Sequence, residues 1–254
     1  MTDPAYCTKY RATYETFDAN CPYCDHLNIY NRASDLADLS AIGFKQVSCQ
    51  SCARVYIING DLVNPPHQLL LYDCTDLVAH KRYAYAVLNA AQSFEVFFSL
   101  FLRVELGYKP FAREANRPPI SELNATLDEL FHTVRRYTYV PLRNIFIRLL
   151  LAHTRPASLA EARAAIATLP KLRDSLSDSE ITSSYSPGPV RDLLVLLNQS
   201  TVHDARNAVV HKDAYRPTLA EATKAIEEAK DVLFPLGVHL LLLTDDFNWH
   251  VKHA

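Results

Sequence analysis

Two groups of residues in this 254-residue chain have types and spacings that can do chemistry. The first is a pair of Cys-x-x-Cys turns, Cys21-Pro22-Tyr23-Cys24 and Cys49-Gln50-Ser51-Cys52, with 24 residues between them. Each turn can aim two sulfurs at one point, and two turns complete the tetrahedral thiolate shell that Zn²⁺ favours. Cys21, Cys24, Cys49 and Cys52 are therefore read as ligands of a structural zinc ion, in preference to unliganded or redox-active thiols. Cys7 and Cys74 fit no pair and read as ordinary thiols, Cys7 being near enough in sequence to serve as a spare ligand. The second group is the run His203-Asp204-Ala205-Arg206-Asn207-Ala208-Val209-Val210-His211-Lys212. Arg206 brings a permanently charged fork suited to phosphate oxygens, and His211 a ring that accepts or donates a proton near neutral pH. Together such groups can cleave RNA: a ribose 2′-hydroxyl attacks its neighbouring phosphate, helped by proton transfer and by positive charge on the transition state.

The elements around the cysteines are short and strand-like: His26 to Tyr30, Phe44 to Val47 and Val55 to Ile58, with Asn59-Gly60 as a hairpin signal. Strands joined by two metal knuckles resemble a zinc ribbon, over roughly residues 15–64. Ribbon knuckles often carry glycine just after the second cysteine, where positive φ is convenient, whereas here Asp25 and Ala53 stand there. Asp tolerates that backbone and Ala costs something. Arg32, Lys45 and Arg54 can face phosphate, but three cations are normal surface dressing, and the ribbon reads first as structural.

Pro65-Pro66 closes this segment, and beyond it the apolar period changes from two to about 3.6, so the chain divides into a ribbon over 1–64 and a helical domain over 67–254. Five glycines against fourteen prolines leave little material for turn-dense β structure, so the bulk must be helical. One long buried helix is expected over about 75–106. A second stretch opens at Ser121 and is divided by Pro141; a third runs about 158–176, and a polar flap follows over 177–189. A fourth spans about 190–212, and a fifth, about 218–243, opens on a Thr218…Glu221 capping box. The fold class is mostly α: a bundle of about five helices preceded by a small β zinc ribbon.

The Arg206-Asn207…His211 run resembles the motif of the HEPN family, whose ribonucleases carry Arg, four to six residues and then His, often with Asn directly after Arg. The helix end after Lys212, the final helix starting at Pro217-Thr218-Leu219, and Ala90-Ala91-Gln92-Ser93-Phe94-Glu95 on the early helix extend the likeness over about 67–243. A second hit, Arg148…His153, has wholly apolar residues between and no following Asn, and is set aside. Positions five apart on a helix differ by about 140° around its axis, so Arg206 and His211 do not share a narrow stripe, whereas His203, Asn207 and His211 do. The resemblance implies a homodimer in which Arg and His of two protomers converge across a two-fold axis. It also implies a role for Glu95 in orienting Arg206 or tuning His211; an internal network from Glu95 to Arg103 is the plain alternative. For the motif itself the plain alternative is structural, with Asn207 on backbone, Arg206 paired to Asp204 or Asp213, and His211 at the helix end.

A net charge of -2 excludes a global basic field, so any RNA contact must be local. The basic segment between Glu129 and Glu161 holds Arg135, Arg136, Arg143, Arg148 and Arg155 with Tyr137 and Tyr139 interleaved, and Arg135, Arg136 and Lys212 are the candidate RNA contacts. The longest apolar run, Val232 to Leu243, is too short to span a bilayer, and the polar first residues lack a secretion signal, so a cytoplasmic protein without a membrane is expected. The resulting expectation is a metal-independent HEPN-type endoribonuclease, a toxin or antiviral effector held in check by a regulator, antitoxin or sensor protein. The alternative is a non-catalytic HEPN dimerisation or nucleotide-sensing adaptor that grips a partner through the ribbon. The tail from Phe247 to His253, with the sole Trp, can dock on either.

Overall fold

The computed structural model describes residues 16–31, 35–36, 44–59, 66–111, 118–152 and 155–240. Its first part is two antiparallel hairpins. Strands β1 (Thr16–Asn20) and β2 (Leu27–Asn31) pair from Asn20 opposite Leu27, and β3 (Phe44–Ser48) and β4 (Val55–Asn59) from Ser48 opposite Val55. The cysteine turns themselves are the hairpin connections. Gly60 and residues 61–65, where a further hairpin is expected, lie outside the described residues, as do Cys7, Arg32, His153 and the tail. Polar ties stitch the hairpins together. Buried Asn28 accepts the Gln50 N–H at 2.6 Å, and the Tyr30 hydroxyl donates to the Ser48 carbonyl at 2.9 Å beside the Tyr56 hydroxyl.

The rest is helical: α1 (Pro66–Ala79), α2 (Tyr83–Arg103), α3 (Ile120–Val134), α4 (Tyr139–Ala152), α5 (Leu159–Thr168), α6 (Asp178–Ser184), α7 (Pro189–Gln199), α8 (Val202–His211) and α9 (Leu219–Leu240). The coarse reading, mostly helical after a small β part, holds; about five helices does not. Each extra break has a local cause. The expected 75–106 helix divides at His80 to Arg82, where Lys81 takes φ 57° and the Arg82 N–H reaches back to the Leu77 carbonyl, a Schellman-type stop without glycine. Residues 177–189 are no simple flap: Ser177 and Glu180 form a capping box that starts α6. The expected 190–212 helix breaks at Ser200-Thr201. Pro141 lies in the first turn of α4, where a missing N–H costs nothing, so the division falls before it, at Arg135 to Thr138. The Thr218 and Glu221 capping box forms as expected: Thr218 N–H donates to the Glu221 carboxylate at 2.7 Å, and the Glu221 N–H to the Thr218 hydroxyl at 3.3 Å.

Helix α2 is the central element, packed by α1, α4, α8 and α9. Its Phe94, Phe97, Phe98 and Phe101 recur at i, i+3, i+4 and i+7 and are all essentially unexposed, the last three meeting Phe146 of α4 and Phe94 meeting Tyr139. With its π- and 3₁₀-helical extension to Phe111, α2 is long and apolar enough by length and composition to cross a membrane, but most of it is buried inside the protein. The ribbon joins this core: Ile57 of β4 belongs to it, and the Tyr23 ring meets Phe234 of α9 edge-on at 4.7 Å.

One buried polar ring is unpartnered. His67 of α1 packs edge-on against Phe97 at 5.1 Å, and neither ring nitrogen has a partner among the described residues. Burial pushes its pKa down from 6.5 to about 3. Below pH 6.5 the unfolded chain takes up a proton that the folded chain refuses. Stability from this group is therefore complete above that pH and declines by up to about 1.4 kcal/mol per pH unit as pH falls toward 3. His67→Phe should flatten the fall in melting temperature between neutral and mildly acidic pH; parallel curves for the two proteins would refute this assignment.

Candidate functional site

The four sequence-identified cysteines converge. Their Sγ atoms lie within 4.8 Å of one another, with Cys21 to Cys52 and Cys24 to Cys49 both at 3.7 Å. A tetrahedron with arms of ~2.3 Å has edges of about 3.8 Å, so the cluster is a pattern that can hold a metal ion in four-thiolate coordination. The two knuckles are built alike. In each, the first cysteine's N–H bonds the residue two past the second cysteine, His26 or Arg54, and its carbonyl receives the N–H of Asp25 or Ala53. Backbone N–H groups then point at sulfur: Tyr23 to Cys21 at 3.4 Å, and Ser51 and Cys52 to Cys49 at 3.3 and 3.4 Å. Burial raises the Cys21 and Cys24 thiols. At Cys49 burial is outweighed by the Cys52 and Ser51 N–H donors, which draw it down to about 6. Cys21 and Cys49 are buried while Cys24 is exposed. By contrast Cys74 is a core thiol donating to the Leu70 and Ala86 carbonyls, raised by burial to about 12, as expected of an ordinary cysteine.

The left-handed residues anticipated from sequence are there, Asp25 at φ 63° and Ala53 at φ 58°. Arg54 does not await phosphate. It pairs with Asp231 of α9 at 3.1 Å and lies over the Tyr23 ring at 4.8 Å.

The second group sits on α8, which packs on α2. Half-buried Arg206 donates to its neighbour Asn207 Oδ1 at 3.1 Å. Glu95 of α2 is its charge partner: burial raises the Glu95 carboxyl, while the Arg206 charge and the Tyr139 N–H pull it back. Arg206 therefore bonds Asn207 and lies in the field of Glu95, and no bond from it to Asp204 or Asp213 is seen among the described residues. His203 stacks on Tyr139 at 5.7 Å and 22°, its Nε2 lies 3.3 Å from Asp204, and its Nδ1 is buried without a partner among the described residues. His211 and Lys212, in the last turn and at the C-cap, are exposed. Glu95, His203, Arg206 and Asn207 are thus brought together, with His211 one turn further out. Two open clefts flank α9, one lined by Tyr23, Arg54 and His239, the other by Leu196, Ser200 and Glu228. Neither is lined by Arg206, Asn207 or His211.

The basic segment is reshaped by the fold. Arg148 donates to the Asp174 and Ser175 carbonyls and Arg155 pairs with Glu105. Tyr139 is 2% exposed and cannot stack on a base. Arg135 and Arg136 remain exposed at the corner leading into Tyr139. Among the described residues two charges are buried, Arg143, read from the sequence as part of the basic segment, and Lys230, which was not singled out. Arg143 is buried, donating to Asn144 Oδ1 and the Asn198 carbonyl, and buried Lys230 donates to the Tyr23 carbonyl at 3.1 Å. Both lie at core steps of four, Tyr139-Arg143-Ile147 and Ile226-Lys230-Phe234, which was the available signal.

No protein-family model, curated protein or solved structure matches the chain.

Because Ala53 holds a conformation that a Cβ disfavours by about 1–2 kcal/mol, part of which glycine returns as unfolded-state entropy, Ala53→Gly should stabilise the fold by about 0.5–1 kcal/mol. Denaturant midpoints with metal present measure it, and a lowered midpoint would contradict the knuckle geometry.

Proposed function

We propose that the protein is an endoribonuclease of the HEPN type whose site is completed by a second copy of the chain, with a structural zinc ion in the ribbon. The observation that carries the reading is α8 itself. A half-buried guanidinium bonded to exposed Asn207 lies in the field of Glu95 on α2, and an imidazole and an ammonium stand in solvent further along the helix. In this mechanism Arg206 holds a non-bridging phosphate oxygen and stabilises the charge that builds on phosphorus. His211 removes the 2′-hydroxyl proton as the 2′-oxygen bonds to phosphorus, and the P–O5′ bond breaks as the resulting imidazolium returns that proton to the leaving 5′-oxygen. The products are a 2′,3′-cyclic phosphate and a 5′-hydroxyl, and no metal ion enters these steps. Arg135, Arg136 and Lys212 supply local positive charge for the backbone. Neither of the two clefts described beside α9 is lined by Arg206 or His211, and the reading therefore places the scissile phosphate at a seam between two copies. A toxin or antiviral role, and a protein that restrains it, belong to this reading through its resemblance alone.

A second reading is favoured by one observation: Glu95 beside Arg206 offsets the charge a phosphate would need. On that reading the bundle is a non-catalytic dimerising adaptor. Its grip through the ribbon has less surface available, because Tyr23, Arg54 and Ile57 are engaged by the chain's own helices.

Labelled single-stranded RNA in Mg²⁺-free buffer with EDTA should be cut to cyclic-phosphate ends by the wild type. Arg206→Ala and His211→Ala should each lower the rate at least about a hundredfold with unchanged circular dichroism. Cutting retained by His211→Ala, or 5′-phosphate ends, would reject the mechanism. Elemental analysis should find one zinc per chain, sharply reduced in Cys21→Ser; a chain purified from zinc-supplemented culture without zinc would remove the metal assignment.

A further inference from the structure

Helix α9 is gripped on two sides within two turns. On one side is the first cysteine knuckle. Lys230 donates to the Tyr23 carbonyl between Cys21 and Cys24, Phe234 meets the Tyr23 ring, and Asp231 holds Arg54, which covers the same ring. From the far side Glu228 reaches the corner where α7 gives way to α8. Its Oε2 accepts the Ser200 hydroxyl at 3.0 Å and the Thr201 N–H at 2.8 Å, and its Oε1 accepts the Thr201 hydroxyl at 3.0 Å. Lys224, one turn earlier on α9, lies 3.5 Å from the same carboxylate. Asp231 lines both clefts beside α9, the one toward the ribbon and the one toward Ser200, so the two grips are neighbours on one helix.

Thr201 is the N-cap of α8 and its own side chain makes no capping bond to the helix. The first turn of a helix has N–H groups without intrahelical partners, and an anion there is favourable. Here the anion comes from α9, 27 residues away in sequence. α8 is short, and isolated helices of this length are marginal, so its stability depends on such tertiary ties. On the other side, the shape of the Cys21 to Cys24 turn depends on what its sulfurs hold. The four Sγ atoms lie within 4.8 Å of one another, and an ion bonded to all four would fix the turn that carries Tyr23.

We infer that α9 is a strut between the four-cysteine cluster and α8, so that metal occupancy of the ribbon sets the local stability of the helix that carries Arg206 and His211. The inference rests on reading the cluster as a metal site, and adds a function to that metal beyond folding its own hairpins. Loss of the ion frees the Tyr23 turn, the Lys230 and Asp231 ties loosen, α9 shifts against the bundle, and Glu228 leaves the Ser200-Thr201 corner. Local openings of this kind are read directly by amide exchange.

The experiment is hydrogen exchange with mass spectrometry on the full chain, zinc-loaded and after chelation under reductant, with zinc content measured in each sample. Peptides covering 200–211 should exchange about tenfold faster in the stripped protein, while 120–134 and 159–168, which make none of these ties, should stay unchanged. In zinc-loaded Glu228→Gln the 200–211 peptides should already exchange fast and respond little to chelation. Thr201→Val, which removes one donor and keeps the backbone bond, should lie between the two and serves if Glu228→Gln does not fold. A metal-bearing wild type whose 200–211 peptides ignore chelation would overturn the strut. So would equal acceleration across 120–134 and 159–168, because the ion would then hold the whole molecule. A chain that takes up no zinc overturns the metal reading and the coupling together, and the metal assay identifies that case.

Discussion

Burial of the phenylalanine stripe on α2 is the constraint around which the other elements are arranged. Phe94, Phe97, Phe98 and Phe101 are each at most 1% exposed, and each fully buried aromatic is worth about 1.5–3 kcal/mol, with something more from edge-on pairs. A helix so apolar on several sides must be surrounded, and α1, α4, α8 and α9 surround it. The position of every candidate functional group follows from that enclosure. Glu95 lies between buried Phe94 and half-buried Val96, so the helix that covers it, α8, must offer a compensating charge, which Arg206 does. Gly237 permits α9 to approach the same stripe, a Cβ there falling 3.8 Å from the Phe97 ring.

The ribbon is an extension of this core rather than a separate arm. Tyr23 packs against both the ribbon cluster and the bundle, and Ile57 belongs to the bundle outright. A module of two hairpins has little core of its own, and small domains of that size need a staple. This one has the thiolate cluster within and α9 beneath. Burying an ammonium is costly unless it is bonded, and the bond from Lys230 to the Tyr23 carbonyl ties α9 to the first knuckle.

Much of the fold was legible where the controlling chemistry is local. The cysteine spacing located the cluster, and the residues after Cys24 and Cys52 were rightly marked as the left-handed positions, because backbone geometry at a knuckle is decided within six residues. The Thr218 to Glu221 capping box likewise needs nothing beyond its own turn. Helix number was misread wherever a stop lacked glycine or proline. Lys81 ends α1 in a conformation unusual for its type, and Ser200-Thr201 divides α7 from α8 with no breaker at all.

From the sequence alone came a mostly helical chain behind a four-cysteine β element, the residues able to bind metal, and a polar run on the last-but-one helix. These follow from periodicity and short-range spacing, which depend on neighbours along the chain. Tertiary structure alone decided that Arg206 stands in the field of Glu95, that Tyr139 is enclosed under His203, and that Arg54 and Lys230 fasten the ribbon. It also decided how α8 is capped, because the carboxylate that accepts the N–H of its N-cap Thr201 belongs to Glu228 on another helix. A charge placed by a partner distant in the chain leaves no periodic trace around itself, so only the folded arrangement reveals which ions are spent on structure and which remain free to act.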